Sequence, residues 1–508
     1  MTTTREKLGL LTGALIAMLA FTLLATSLSR SAAGPDEIGR AGLPATASDA
    51  RVDEETNEEL DEQTAGVQER VAAWEAAKKL GKAGQSKPTS FLTGAAAPAA
   101  TGWVGETPID TTVDDWEPAI ATDPHSSYAY LLVTRYGTDK PCPGNCPSPW
   151  IGLAVSSNNG ATWSEVRPLC ACKGGGQFDP IIEVVPNTGD VYSLFMIGFN
   201  VWFTKSHDHG TTWSPPVQTY GNVAWNDKPI LAVSDDGHEV YAAFNGPTGG
   251  DPWIAHSIDD GATWTQVKII DSGRYIYAFD GDVASDGTVY FAESSLLYAN
   301  AGKNGPVDPI VEEHVFISRD HGAHWIDKVV ATGQPGEACV AAGCKPDFYT
   351  GHAAISADGA GGLVFLYDAS TTYLGKQSIY ASRSTNQGRT WSTPVIVSSA
   401  GEMATDPMME SGAAGDVRIA WAETSGRGNV DAWNIWYRRS TNGGSTWSSP
   451  IRISDATSGA PYKTAAGYAE VYGDYGEMGI TSAGKTIATW GEGISYTGPG
   501  GVWVNRER

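Results

Sequence analysis

From about residue 103 onward, apolar and polar positions alternate in short runs broken by Gly- and Asp-rich turns. That period of two is the mark of half-buried strands. One unit reads in full. KPILAVS (228–234) is a strand, DDG (235–237) a turn and EVYAAFNG (239–246) a second strand. PWIAHS (252–257) is a third, the octapeptide SIDDGATW (257–264) turns the chain, and TQVKII (265–270) returns. The octapeptide recurs as SSNNGATW (156–163), SHDHGTTW (206–213), SRDHGAHW (318–325), STNQGRTW (384–391) and STNGGSTW (440–447). Successive copies start 50, 51, 61, 66 and 56 residues apart. A period of this length, carrying four antiparallel strands, predicts an all-β fold: a β-propeller of four-stranded blades.

Each octapeptide is explained by folding alone. Its Asp or Asn accepts backbone N–H bonds inside the turn, its Gly supplies a positive φ, and its hydroxyls close further bonds. The Trp buries its ring at the blade edge with its N–H still bonded. Six copies suggest six blades, but about sixty residues follow Trp447. GEMGITS (476–482), KTIATWGEG (485–493) and GVWVNRE (501–507) supply three more strands, and GWVGETPID (102–110) is the missing fourth. Pairing the two chain ends closes the ring and removes a sheet edge, so seven blades are favoured and six are the alternative.

Residues 1–33 have another character. Arg5 and Lys7 precede an apolar run from Leu8 to Leu28, followed by the small residues Ser31-Ala32-Ala33. This is a signal peptide or an uncleaved N-terminal membrane anchor, and either places the rest outside the cytoplasm, secreted or held at the cell envelope. Residues 34–102 read as acidic linker, with a short amphipathic helix near 67–80 on Val67, Val71 and Trp74. The propeller spans 103–508. Six cysteines fall in close pairs: Cys142 with Cys146, Cys170 with Cys172, and Cys339 with Cys344. Disulfides are the default outside the cytoplasm, with connectivity open among the first four; a zinc site is the alternative, but the spacing is unusual for one. A net charge of −24 excludes a nucleic-acid surface. The expected state is a monomer, with membrane contact through the N-terminal segment alone.

A second repeat opens the units: WEPAI (116–120), FDPII (178–182), NDKPI (226–230), FDGDV (279–283), TDPMM (405–409) and GDYGE (473–477). It sets Glu117, Asp179, Asp227, Asp280 or Asp282, Asp406 and Asp474 just before the innermost strands, where they converge at the mouth of the central channel. Blade five departs, with DFYTGHAAI (347–355) and its His352. Three uses are open. The carboxylates order the connections between blades, bind Ca²⁺ or another hard cation, or form an acid pair for glycosidic cleavage. No other cofactor is expected. Trp116, Trp225, Tyr275, Tyr277, Tyr349, Tyr472 and Tyr475 flank the ring and offer faces on which sugars stack.

The octapeptides resemble the Asp-box (BNR) repeats of the sialidase-like propeller superfamily over roughly residues 103–508. The resemblance implies that these turns lie opposite the binding face, and that a glycan is the ligand. A sialidase would bring three Arg, a Tyr nucleophile with Glu, and an Asp acid/base. The early Phe/Tyr-Arg-Ile-Pro motif of that family is absent, ETPIDTTVDDWEPAI (106–120) standing in its place. Arg135, Arg274 and Arg427 are the arginines left in or near loops of the other face. The catalytic candidates are thus Asp227, Asp282, Tyr275 and Arg274. Glu117, Asp179, Asp406, Asp474, Tyr475, Trp116, Trp225, Arg135 and Arg427 are the binding candidates. The expected function is glycan recognition, with glycoside hydrolysis of the exo-sialidase kind at the channel mouth or, alternatively, non-catalytic adhesion.

Overall fold

The computed structural model describes residues 99–508 except 111–112, 137–148, 171–174, 224–225, 247–249, 271–273, 297–309, 338–350, 400–401, 425–432, 455–462, 465–466, 472–475 and 494–499. The N-terminal apolar segment, the acidic linker and its short helix lie outside these residues. Seven four-stranded antiparallel sheets form a closed propeller. The innermost strands, from blade 1 to blade 7, are Asp114–Thr122, Gln177–Val184, Asp227–Val233, Tyr275–Val283, Ala353–Ala357, Met403–Ser411 and Gly476–Ile480. Blade 3 runs Asp227–Val233, Val240–Asn245, Pro252–Ser257 and Thr265–Lys268, within a few residues of the strands expected from its alternation. A small two-stranded sheet, Lys463–Thr464 with Gly467–Val471, lies between blades 6 and 7 in the chain.

The period of two does its work between the blades. In the second strand of blade 1, Tyr130 and Leu132 join a core shared with blade 2, whereas Ala129, Leu131 and Val133 join one shared with blade 7. Both faces of each sheet are therefore buried, and seven apolar clusters fill the seven seams. Blade 7 takes its outermost strand, Thr107–Pro108, from the start of the domain, paired to Gly500–Arg506. It has no octapeptide because the chain ends meet where that turn would be.

The six octapeptide turns link third to fourth strands, so they share one end of the ring with the turns between first and second strands. In each, the first Ser hydroxyl accepts the Gly N–H, 2.9 Å from Ser257 Oγ to Gly261 N in blade 3. The Asp or Asn accepts the N–H four residues on, 2.8 Å from Asp259 to Thr263. Two consecutive residues take positive φ, as in Asp260 (58°) and Gly261 (79°). The Trp213, Trp264 and Trp325 indoles donate to the carbonyl of their own turn glycine. The Trp391 and Trp447 nitrogens have no partner among the described residues, so the bonded indole expected of every copy holds for part of the set.

Candidate ligand site at the channel mouth

The opposite end of the ring is where the innermost strands begin. Five of them carry a bulge there, four with register shifts around Glu117-Pro118, Asp179-Pro180, Lys228-Pro229 and Asp406-Pro407 and the fifth, in blade 4, at Phe279. Proline has no N–H for the ladder and pushes its predecessor out of the right-handed helical region. The predecessors adopt φ of 53°, 46°, 53° and 51°. The acidic repeat assigns this place in blade 3 to Asp227. Register gives it to Lys228, while Asp227 pairs with Asn245 as an ordinary strand residue and is fully buried. Blade 5 makes no bulge, and His352 directly precedes its first strand.

The mouth residues are tied to neighbouring blades. Glu117 Oε2 accepts from Thr134 Oγ1 at 2.5 Å and from the Asp179 N–H of blade 2 at 3.1 Å. His352 stands between two carboxylates, with Nδ1 3.0 Å from Asp368 and Nε2 3.3 Å from Asp406 of blade 6. Asp368 also accepts the Gly351 and His352 N–H groups and the Thr405 hydroxyl. Arg135 makes a two-pronged bond to Asp115 at 2.6 and 2.7 Å, lies 3.2 Å from Asp110, and sits over the Trp150 ring. Trp116 is buried against Tyr136 rather than open to the mouth. Tyr275 opens the blade 4 strand, and Tyr277, two residues on, is buried.

Asp474, Tyr475, Trp225 and Arg427 lie outside the described residues. So do five of the six cysteines expected in disulfides: Cys142, Cys146, Cys172, Cys339 and Cys344. Cys170, the sixth, is disulfide-bonded, and no cysteine among the described residues is free. The pairing of Cys142, Cys146, Cys170, Cys172, Cys339 and Cys344 stays an expectation of the sequence.

Blade 4 gathers around Arg274, a catalytic candidate, a cluster whose other members the sequence patterns did not single out. Arg274 Nε donates to Ser295 Oγ at 2.9 Å and lies 3.2 Å from Glu312, while its terminal nitrogen donates to the Ile310 carbonyl at 2.6 Å. His314 Nδ1 is 2.7 Å from Asp327, and Glu293 stands directly opposite His314 in the sheet. Burial disfavours the His314 cation, but Asp327 and Glu312 outweigh it and raise its pKa to about 9. Glu312 is held below the usual carboxylate range by its bond to His314 and by Arg274, against its own partial burial. Glu293 is 1% exposed, its Oε2 has no hydrogen-bond partner among the described residues, and burial pushes its pKa well up. The legible signal was the charged run EEH (312–314) inside an otherwise apolar strand.

Deeper in the channel, register stacks carboxylates in two levels: Glu183, Asp282 and Glu410 near the octapeptide end, Asp280 and Glu477 above them. Asp282 thus sits below the mouth, bonded to the Ala357 N–H of blade 5 at 2.7 Å. Asp280 accepts the Ile355 N–H, and Glu477 accepts the Ile120 N–H of blade 1. Protein surrounds all five, although each keeps some surface open to the channel. Burial, then their mutual repulsion, raises the pKa of Glu410 to about 8. Burial likewise takes Asp280 to about 8 and Asp282 to about 6, and lifts Glu183 and Glu477 well above the carboxylate range. Among the described residues no three His, Cys, Asp or Glu are grouped to hold a metal ion, and the Ca²⁺ alternative draws no support there.

A stability prediction follows. A carboxyl with a raised folded pKa binds more protons folded than unfolded, so stability falls as pH rises from about 4, the unfolded value, to about 8. Glu410→Gln should raise stability by about 2 kcal/mol at pH 8, a discounted figure for a group partly open to water, and by almost nothing at pH 4. Urea unfolding at the two pH values measures this. Equal effects at both would remove the linkage.

No known family profile matches the chain, and no curated protein matches it. Solved structures do resemble it. A protein of unknown function from Dyadobacter fermentans aligns at 11% identity and TM-score 0.45, covering 80% of this chain and 99% of that one. A polysaccharide lyase, an ulvan lyase of family PL25 bound to a -[GlcA(1-4)Rha3S]- saccharide, aligns at 11% identity and TM-score 0.48, covering 79% and 94%. The leech intramolecular trans-sialidase aligns at 13% identity and TM-score 0.39, covering 80% and 68%.

Proposed function

We propose that the protein is an extracytoplasmic propeller that recognises glycans at the channel mouth. The observation that carries this reading is the break in the acidic repeat at blade 5. A feature present in several blades is explained by building blades. His352, held on both ring nitrogens by Asp368 and Asp406, occurs in blade 5 alone among the described inner strands. With Thr405 and Asp368 it forms a rigid network that fixes the Asp406 carboxylate, an acceptor suited to a sugar hydroxyl. The apolar N-terminal run and the paired cysteines support the location.

Hydrolysis is a second reading, favoured by blade 4. Burial favours the protonated form of Glu293, while His314 and Arg274 favour the ionised form of Glu312, two strand positions away on the adjoining strand. Carboxyls pushed in opposite directions are what acid–base cleavage of a glycoside asks for. The test is incubation of the folded protein with neutral and acidic oligosaccharides, following release by mass spectrometry and binding by saturation-transfer NMR. Binding that His352→Ala weakens at least tenfold is expected. Release abolished by Glu293→Gln would establish an enzyme, and binding without release a recognition module. Neither binding nor release across the panel would sink the glycan reading.

A further inference from the structure

Of the seams between blades, the one joining blades 4 and 5 is built differently. Outermost strands elsewhere are two to four residues long, but that of blade 4, Ile326–Gly333, has eight. The extension carries the chain across to blade 5, where Gln334 and Ser370 exchange two backbone hydrogen bonds of 3.0 Å. The approach needs a glycine, because a Cβ on Gly333 would lie 2.4 Å from that of Ala369. Beside this bridge is a cavity of about 480 Å³, with Thr332, Gln334, Thr371, Tyr367 and Tyr380 in its wall. Such a volume falls in the range of small-molecule sites.

The lining chemistry is specific. Tyr367 and Tyr380 stack at 5.2 Å with their planes 13° apart. Neither phenol makes a hydrogen bond among the described residues, and neither do the Gln334 amide and the Thr332 and Thr371 hydroxyls. A stacked aromatic platform ringed by unengaged neutral donors and acceptors suits a pyranose, which presents one apolar C–H face and hydroxyls at its rim. No charged side chain lines the cavity among the described residues. A carboxylate or sulfate there would meet no counter-charge on the described lining side chains, which disfavours acidic sugars on desolvation grounds.

We infer that the blade 4–blade 5 cavity is a binding site for uncharged saccharide units, separate from the channel mouth. It takes one or two neutral pyranose rings, stacked on Tyr380 and hydrogen-bonded by Gln334 and Thr371. It does not rest on the mouth reading, since it shares no residue with the His352 cluster.

The experiment uses the full chain and saturation-transfer NMR with cellotetraose, xylotetraose and mannotetraose. Sialyllactose and tetragalacturonate form the charged arm. At least one neutral oligosaccharide should bind, and Tyr380→Ala should weaken it at least tenfold, with Tyr380→Phe retaining the stacked part. Thr371→Trp, which fills the cavity from an exposed position, should abolish it while leaving the unfolding midpoint in place. His352→Ala should leave this binding unchanged, whereas it weakens binding at the mouth. The proposal is overturned if no neutral oligosaccharide binds, or if binding survives both Tyr380→Ala and Thr371→Trp. Loss with His352→Ala alone would place the saccharide at the mouth and also overturn it.

Discussion

Gly261→Ala should cost the propeller about 4 kcal/mol or more, although it adds one methyl group to a surface turn. Two effects combine. Gly261 has φ of 79°, where a side chain costs about 1 kcal/mol. Its missing Cβ would also fall 2.1 Å from the Phe203 ring of blade 2. Phe203 belongs to the core between blades 2 and 3 and packs against Trp264 at 5.4 Å, so it has little room to retreat. Gly484→Ala is the matched control, because Gly484 has φ of 71° but nothing within 4 Å of where a Cβ would stand. It should cost about 1 kcal/mol, the backbone term alone. Urea unfolding followed by Trp fluorescence compares the two. Equal losses would show that the turn is not keyed into its neighbour.

The keying recurs in five of the six copies, whereas a Cβ on Gly210 would meet Leu153 of blade 1 at an ordinary 3.4 Å. A Cβ on Gly160, Gly322, Gly388 or Gly444 would lie within 3.0 Å of Ile487, His256, Ile317 or Val364 respectively, each on the preceding blade. The octapeptide therefore closes a hairpin and also locks its blade to the one before. This was half legible. Spacing and composition gave the turns, the strands of blade 3 and the seventh blade by strand counting, because turn chemistry and period-two alternation are local properties of the chain. The contact beneath each turn glycine is between blades, and no local pattern records it.

The site was less legible for the same reason. The acidic residues ahead of the inner strands were visible, but their depth was not. One bulge shifts every later residue along the channel, which placed Lys228 where Asp227 was expected and set Asp282 below the mouth. Arg135 and Arg274 were identified as loop cations of the right face. Their engagement by Asp115 and Glu312 depends on which strands lie opposite, and so does the pairing of Glu293 with His314. The eight-residue outer strand of blade 4 was not legible, since nothing in IDKVVATG announces that it crosses to the next blade.

Ring closure supplies the second large effect. Trp103→Ala should destabilise the protein by about 4 kcal/mol, as expected for a large aromatic removed from a packed core. Trp103 is 1% exposed and lies with Trp433, Tyr437, Trp490 and Trp503 in the core between blades 6 and 7. It meets Tyr437 edge-on at 5.0 Å, and its carbonyl accepts Arg508 Nε at 2.7 Å. Just beyond it, Thr107 and Pro108 pair with Val504 and Trp503, joining the first strand of the domain to the last. No octapeptide locks blade 7 onto blade 6, so this core and its strand pairing carry closure there. The loss should therefore be uneven. Hydrogen exchange should accelerate first in Met403–Ser411 and Gly476–Arg506, while Asp227–Val233 and Tyr275–Val283 across the ring keep their protection. A uniform loss would mean that the propeller opens as one unit, with closure no weaker than any other seam.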